Sequence, residues 1–163
     1  MTRPKFDSKL IPGRIAVDTG FLLRALGLET DQSGLCESLL RDLVSMRVEI
    51  QVPAPVIAEI VLGGVARAPQ TTSGLLVTAF DELAAVKCGE LFAIAEIKAG
   101  DKPPSVLKFD SMIIACAVRW DAKHIISFDE SLRKRATKAG VLGKEPADYL
   151  EKDLFSPVLQ LKK

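Results

Sequence analysis

The chain has 163 residues and a hydrophobic content of 48%, which excludes a disordered tail and is enough for one domain with its own core. No apolar run approaches the roughly 20 residues that a membrane-spanning helix needs. The basic opening MTRPKFDSKLIPGR lacks the apolar stretch of a secretory signal. A net charge of +1 singles out no partner, so a nucleic-acid surface has to be a local basic patch.

Residues 1–13 read as an arm broken by Pro4, Pro12 and Gly13. A short apolar run at 15–17 stops at Asp18, Thr19 and Gly20, the pattern of a buried strand followed by a turn. Residues 21–26 are a helical piece. Over 32–46, Leu35, Leu39, Leu40 and Leu43 form a helical stripe. Residues 48–52 (VEIQV) alternate as a strand, closed by Pro53 and Pro55. The helix expected at 56–67 is apolar nearly all round, so both of its faces need cover, from its own sheet or from a second subunit.

A loop is expected at 68–74, then two helices at 75–86 and 90–98 parted by Cys88 and Gly89. GDKPPS at 100–105 is a break. Residues 106–121 carry the strongest helix pattern in the chain. A short buried strand at 125–128 precedes a helix at 130–138 that ends by Gly140. Val141 and Leu142 suggest a last strand, 146–152 a short helix, and 153–163 a tail. Short apolar strands separated by helices predict a parallel sheet with helices on both faces. In such sheets ligands sit outside the carboxyl ends of the strands.

Cys36, Cys88 and Cys116 are scattered and odd in number, which fits a reducing cytoplasm better than a disulfide framework. No cysteine pair has zinc-ligand spacing, and His124 is the only histidine. Cys116 lies in an apolar helical pattern and reads as core. Trp120, at helical spacing from Phe109, Ile113 and Cys116, reads as core too.

Four acids stand in apolar or strand-like surroundings: Asp18 in IAVDTGFLL, Glu59 in VIAEIVL, Asp110 in LKFDSMIIACAV and Asp129 in HIISFDESL. Taken singly, Asp18 reads as a turn residue, and Asp110 and Asp129 as helix caps. Glu59, apolar on both sides, resists such a reading. Carboxylates are rarely buried unless paired or bound to a metal, so four together suggest one shared site. Their spacings of 41, 51 and 19 residues allow the chain to return to one sheet edge. Crowded carboxylates repel, and a divalent cation relieves the strain. Hard oxygen donors open to water suit magnesium or manganese, and such a site can cut a phosphodiester. The residues allow two ions, or one ion with a carboxylate left as general base. Thr19 and Ser127 each carry a hydroxyl able to orient a carboxylate or a water from a second layer, or simply to close a turn or a strand.

These blocks resemble the PIN domain family, and most closely the compact toxin ribonucleases of the VapC type. The resemblance rests on V-D-T at 17–19 followed by FLLRAL, on P-V-I-A-E-I at 55–60, on Asp110, Ile113, Ala115 and Ala117, and on I-I-S-x-D at 125–129. It spans residues 15–152 of a single unit covering 1–163. It implies a three-layer α/β/α sandwich around a parallel sheet of four to five strands. It also implies a metal-dependent endoribonuclease using magnesium or manganese, with Asp18, Glu59, Asp110 and Asp129 as its metal-binding and catalytic acids. Its further implications are a homodimer and, often, a small antitoxin whose tail blocks the site. Other PIN proteins process RNA without being toxins, and a non-catalytic module that binds RNA or a protein partner is a further alternative. Segment 68–105 departs from the family pattern.

RNA cutting needs cations near the acids, and Arg133, Lys134 and Arg135, with Lys138, are the first candidates. Arg24, Lys108, Arg119 and Lys123 come next. The same residues also suit the last turn of a helix. A haloacid-type phosphatase requires a second Asp where Gly20 stands, and a receiver domain requires an Asp that VEIQVPAP lacks.

Overall fold

The structure, a computed structural model, describes residues 3–64, 74–98 and 104–152. Five parallel strands form one sheet in the order β3-β2-β1-β4-β5: β1 (Arg14–Val17), β2 (Glu49–Pro53), β3 (Leu75–Thr78), β4 (His124–Ile126) and β5 (Leu142–Lys144). The central strand β1 pairs with β2 on one side and β4 on the other, with Ala16 opposite Gln51 and Val17 opposite Ile126. Ile15, Ala16 and Val17 are all fully buried, as a parallel strand covered on both faces must be.

The helices are α1 (Thr19–Ala25), α2 (Ser33–Ser45), α3 (Ala54–Leu62), α4 (Glu82–Lys98), α5 (Pro104–Arg119) and α6 (Glu130–Lys138). From β1 to β2 and from β2 to β3 the chain steps one way across the sheet. From β4 to β5 it steps the other way. Right-handed crossovers place the helices of opposite steps on opposite faces, which gives the three-layer sandwich. On α2, Cys36, Leu39, Leu40 and Leu43 turn into the core at helical spacing.

Several expectations are corrected. Residues 75–78 are not the start of a helix: they form the edge strand β3, with Val77 paired to Val52 and Thr78 to Pro53. The helix starts later, where the Asp81 carboxylate accepts the Ala84 N–H at 2.9 Å. Leu75, Ala79 and Leu83 recur at helical spacing, and that period concealed the break. The two helices expected up to residue 98 are one, with Gly89 inside it. The pair Pro104 and Ser105, read as part of a break, opens α5. The arm is docked: Phe6 is buried and forms an antiparallel bridge with Leu150, beside a 3-10 turn at Ser8–Leu10. Trp120 is half-buried after the end of α5, where its indole N–H donates to the Ala79 carbonyl at 2.9 Å. The end of the helix expected at 56–67, most of the 68–74 loop, 99–103 and the 153–163 tail lie outside the described residues.

The α3 helix carries Pro55 in its first turn, where a missing N–H costs nothing. Its Val56 and Ile60 are buried, but Val61 and Leu62 stand 53% and 75% exposed. Of the two sources of cover for this apolar helix, the described part of the chain supplies only one side.

Candidate active site

The order β3-β2-β1-β4-β5 reverses direction between β1 and β4. In open α/β sheets that switch point opens a crevice beyond the carboxyl ends of the two strands. Asp18 directly follows β1, and Ser127, Phe128 and Asp129 follow β4. The Asp18 N–H donates to the Ile126 carbonyl at 3.1 Å, and the Ser127 N–H to the Lys144 carbonyl at 2.9 Å, so the strand ends are held together.

Each of the two aspartates caps a helix. Asp18, with extended backbone, accepts the Phe21 N–H at 2.7 Å and starts α1. Asp129 accepts the Leu132 N–H at 3.0 Å and starts α6. Aspartate is among the best N-cap residues because its oxygen satisfies an orphan donor. Each carboxylate is thereby fixed in direction at the sheet edge.

Ser127 joins the two. Its buried hydroxyl donates to Asp18 Oδ2 and accepts the Asp129 N–H at 3.0 Å. Thr19 donates its hydroxyl to Glu59 Oε2, tying α1 to α3. Asp110, buried in the second turn of α5, is paired with the Arg135 guanidinium from α6. The two hydroxyls therefore stand against acids of the expected set.

Burial pushes the Asp18 carboxyl up to about 6; the hydrogen bonds from Ser127 and Phe21 oppose the rise, and the charges of Glu59 and Asp110 add to it. The charges of Glu59 and Asp110 thus both reach Asp18. This crowding of hard oxygen donors fits a divalent cation of the magnesium or manganese type. Among the described residues, no three His, Cys, Asp or Glu side chains are grouped as ligands of one ion. As folded, Ser127, Thr19 and Arg135 each hold one acid.

The cations of α6 divide their roles. The Arg133 Nη1 donates to the Ser127 carbonyl at 2.8 Å, bracing the loop that carries Asp129. The Lys134 side chain, 70% exposed, meets Glu130. Arg135 turns inward to Asp110. Arg24 lies 4.7 Å from the Phe128 ring centroid and donates to the Gly20 carbonyl at 2.9 Å, between the two halves of the crevice. Arg119 pairs with Asp81, and Lys123 with Asp121 at the opposite end of β4.

His124 opens β4, so it stands at the edge away from Asp129, with Nδ1 2.9 Å from the Tyr149 hydroxyl. Burial, and then the Lys144 charge, hold its pKa below the usual value. Burial also pushes Cys36 up to about 11 and Cys116 to about 12, unlike reactive thiols. Neither residue type offers a nucleophile system at the crevice. The inward role of Arg135 was not visible in sequence; the one available signal was that a buried Asp110 calls for a cation.

A family model described as "PIN domain" matches residues 15–138. Among solved structures, FitAB bound to the IR36 DNA fragment matches with a TM-score of 0.60 at 18% identity, over 85% of this chain and 99% of that one. VapBC2 from Rickettsia felis, bound to a promoter DNA fragment, gives 0.58 at 15%, over 81% and 98%. VapC20 from Mycobacterium tuberculosis, described as a sarcin-ricin loop cleaving toxin, gives 0.52 at 15%, over 78% and 96%. At these identities the likeness is one of fold. No curated protein matches the chain.

Proposed function

Because the chain belongs to the PIN domain family, we propose that it is a metal-dependent endoribonuclease whose site comprises Asp18, Glu59, Asp110 and Asp129. The observation that carries this reading is the pair Asp18 and Asp129, joined through Ser127 just past the carboxyl ends of the two strands at the switch point.

Asp18, Glu59, Asp110 and Asp129 would hold magnesium or manganese. Held there, such an ion would lower the pKa of a water and offset negative charge on the phosphate oxygens. The chain's own residues do the rest. Ser127 and the α1 N–H groups aim the Asp18 carboxylate, and Thr19 aims Glu59. Arg133 keeps the Asp129 loop in place, and Lys134 faces outward where a phosphate backbone can reach it.

The unit is taken as one PIN-like domain with its core at 15–152. Two features support a place as the toxin of a toxin–antitoxin pair. VapC20 is called a toxin, and FitAB and VapBC2 are solved on DNA. The exposed Val61 and Leu62 of α3 support a homodimer. A cytoplasmic setting fits three buried free cysteines, and no helix among the described residues is long and apolar enough to cross a membrane.

The test is cleavage of a mixed RNA pool with manganese and with chelator. The wild type should cut only with the ion, and Asp18→Asn should lower the rate by at least about a hundredfold, the scale set by losing a positioned acid–base group. Tight RNA binding in chelator, with no cleavage under either condition, would instead make this a non-catalytic module.

A further inference from the structure

We propose that Arg135 is a built-in counter-ion of the acidic site, which neutralises Asp110 and has to release it before a divalent cation binds. This rests on the metal reading above and adds a residue that sets the ion's affinity.

Three consecutive cations share one helix: Arg133 donates to the Ser127 carbonyl, Lys134 meets Glu130, and Arg135 is paired with Asp110 of the acidic site. The Arg135 side chain is 20% exposed and that of Asp110 11%, so the pair is largely removed from water. Taking two charges out of water is costly, and the cost is recovered only with good geometry and further hydrogen bonds. The pair does not have the two-pronged form that guanidinium–carboxylate contacts favour. Only Nη2 reaches Asp110 Oδ2, and the buried Nε has no hydrogen-bond partner among the described residues. A guanidinium kept only for stability would use its fork more fully.

The position of Asp110 gives a reason for this half-made contact. Its charge bears on Asp18, as that of Glu59 does. Without a nearby cation, three acids would repel across the switch point. Arg135 supplies one positive charge on the Asp110 side of that cluster. A divalent ion drawn to the same carboxylates meets a guanidinium already there, and the two compete for Asp110. Coupling of this kind is reciprocal: whatever Arg135 takes from the ion's affinity, the ion takes from the Arg135–Asp110 contact.

The test is calorimetric titration of manganese into wild type, Arg135→Gln and Arg135→Lys, with thermal melts in chelator. Arg135→Gln should bind manganese about tenfold more tightly, within the usual range of site coupling. It should also melt lower than wild type without the ion and show a larger rise with it. Arg135→Lys, which keeps the charge, should stay near the wild-type affinity. In an Asp110→Asn background the Arg135→Gln effect should vanish. Equal or weaker binding by folded Arg135→Gln would overturn the proposal while leaving the metal reading intact. Absence of binding by every protein would remove both.

A second measurement covers the case in which Arg135→Gln does not fold. In wild type, the Arg135 Nε resonance, assigned by its loss in Arg135→Lys, should shift as magnesium saturates the site. A resonance unmoved at saturation would overturn the proposal.

Discussion

At the scale of single residues, Asp18 combines two tasks that pull against each other. As an N-cap it stabilises α1, and as a buried acid among acids it strains the site. Its carboxyl rises from 3.8 to about 6, a difference on the order of 3 kcal/mol. The sign follows from proton uptake: between about pH 4 and 6 the native state holds a proton that the unfolded chain has lost. Stability from this group is therefore present at low pH and is lost as pH rises through about 6. Asn retains the capping oxygen but not the charge. In chelator, Asp18→Asn should melt above wild type at pH 8, and the gap should close by pH 4. Melting curves across that range check this, and a constant gap would mean that the burden is not the charge. The four acids were legible because each stood in an apolar setting. Thr19 and Ser127 were legible as hydroxyls able to orient an acid. Which acid each meets was not, nor was the pairing of Arg135 with Asp110, since Thr19 and Glu59 are 40 residues apart and Arg135 and Asp110 25. Spacing along a chain does not reveal such contacts.

At the scale of elements, two glycines show how one substitution can have opposite effects. Gly143 in β5 lies against α6: a Cβ there would come within 2.5 Å of the Arg133 backbone. Gly143→Ala should therefore cost about 1–3 kcal/mol through overpacking. Gly89 lies inside α4, and a Cβ there meets nothing within 4 Å. Gly89→Ala should gain up to about 1 kcal/mol from helix propensity. Denaturant melts of the two variants test the contrast. The strands β1 and β4 were readable as apolar runs ended by Asp and Ser, and β2 as an alternating segment closed by prolines. The edge strand β3 was not. Leu76 and Val77 are exposed, so its period carries no sign of burial, and the helical spacing of its neighbours prevailed.

Across the whole molecule, the two ends of the described chain fasten one another. Phe6 is buried against the core, the Asp7 N–H donates to the Tyr149 carbonyl at 2.8 Å, and the Glu151 N–H to the Lys5 carbonyl at 3.0 Å. Phe6→Ala should destabilise the protein by about 3 kcal/mol, measured by urea unfolding, although Phe6 lies at the edge away from the acids. A loose arm would show almost no change. Prolines and a glycine made residues 1–13 look detached in sequence. Docking by one aromatic ring and a few backbone bonds leaves no periodic trace. The α/β class and the parallel sheet were legible from the alternation of short apolar strands with helices.

The bond between Ser127 and Asp18 spans 109 residues. During synthesis Asp18 leaves the ribosome long before β4 exists to hold it. The nascent chain therefore carries Asp18, Glu59 and Asp110 without their full arrangement until β4 has been made. Under the proposed function, that order keeps an incomplete site from acting on the message while β4 is still to be made.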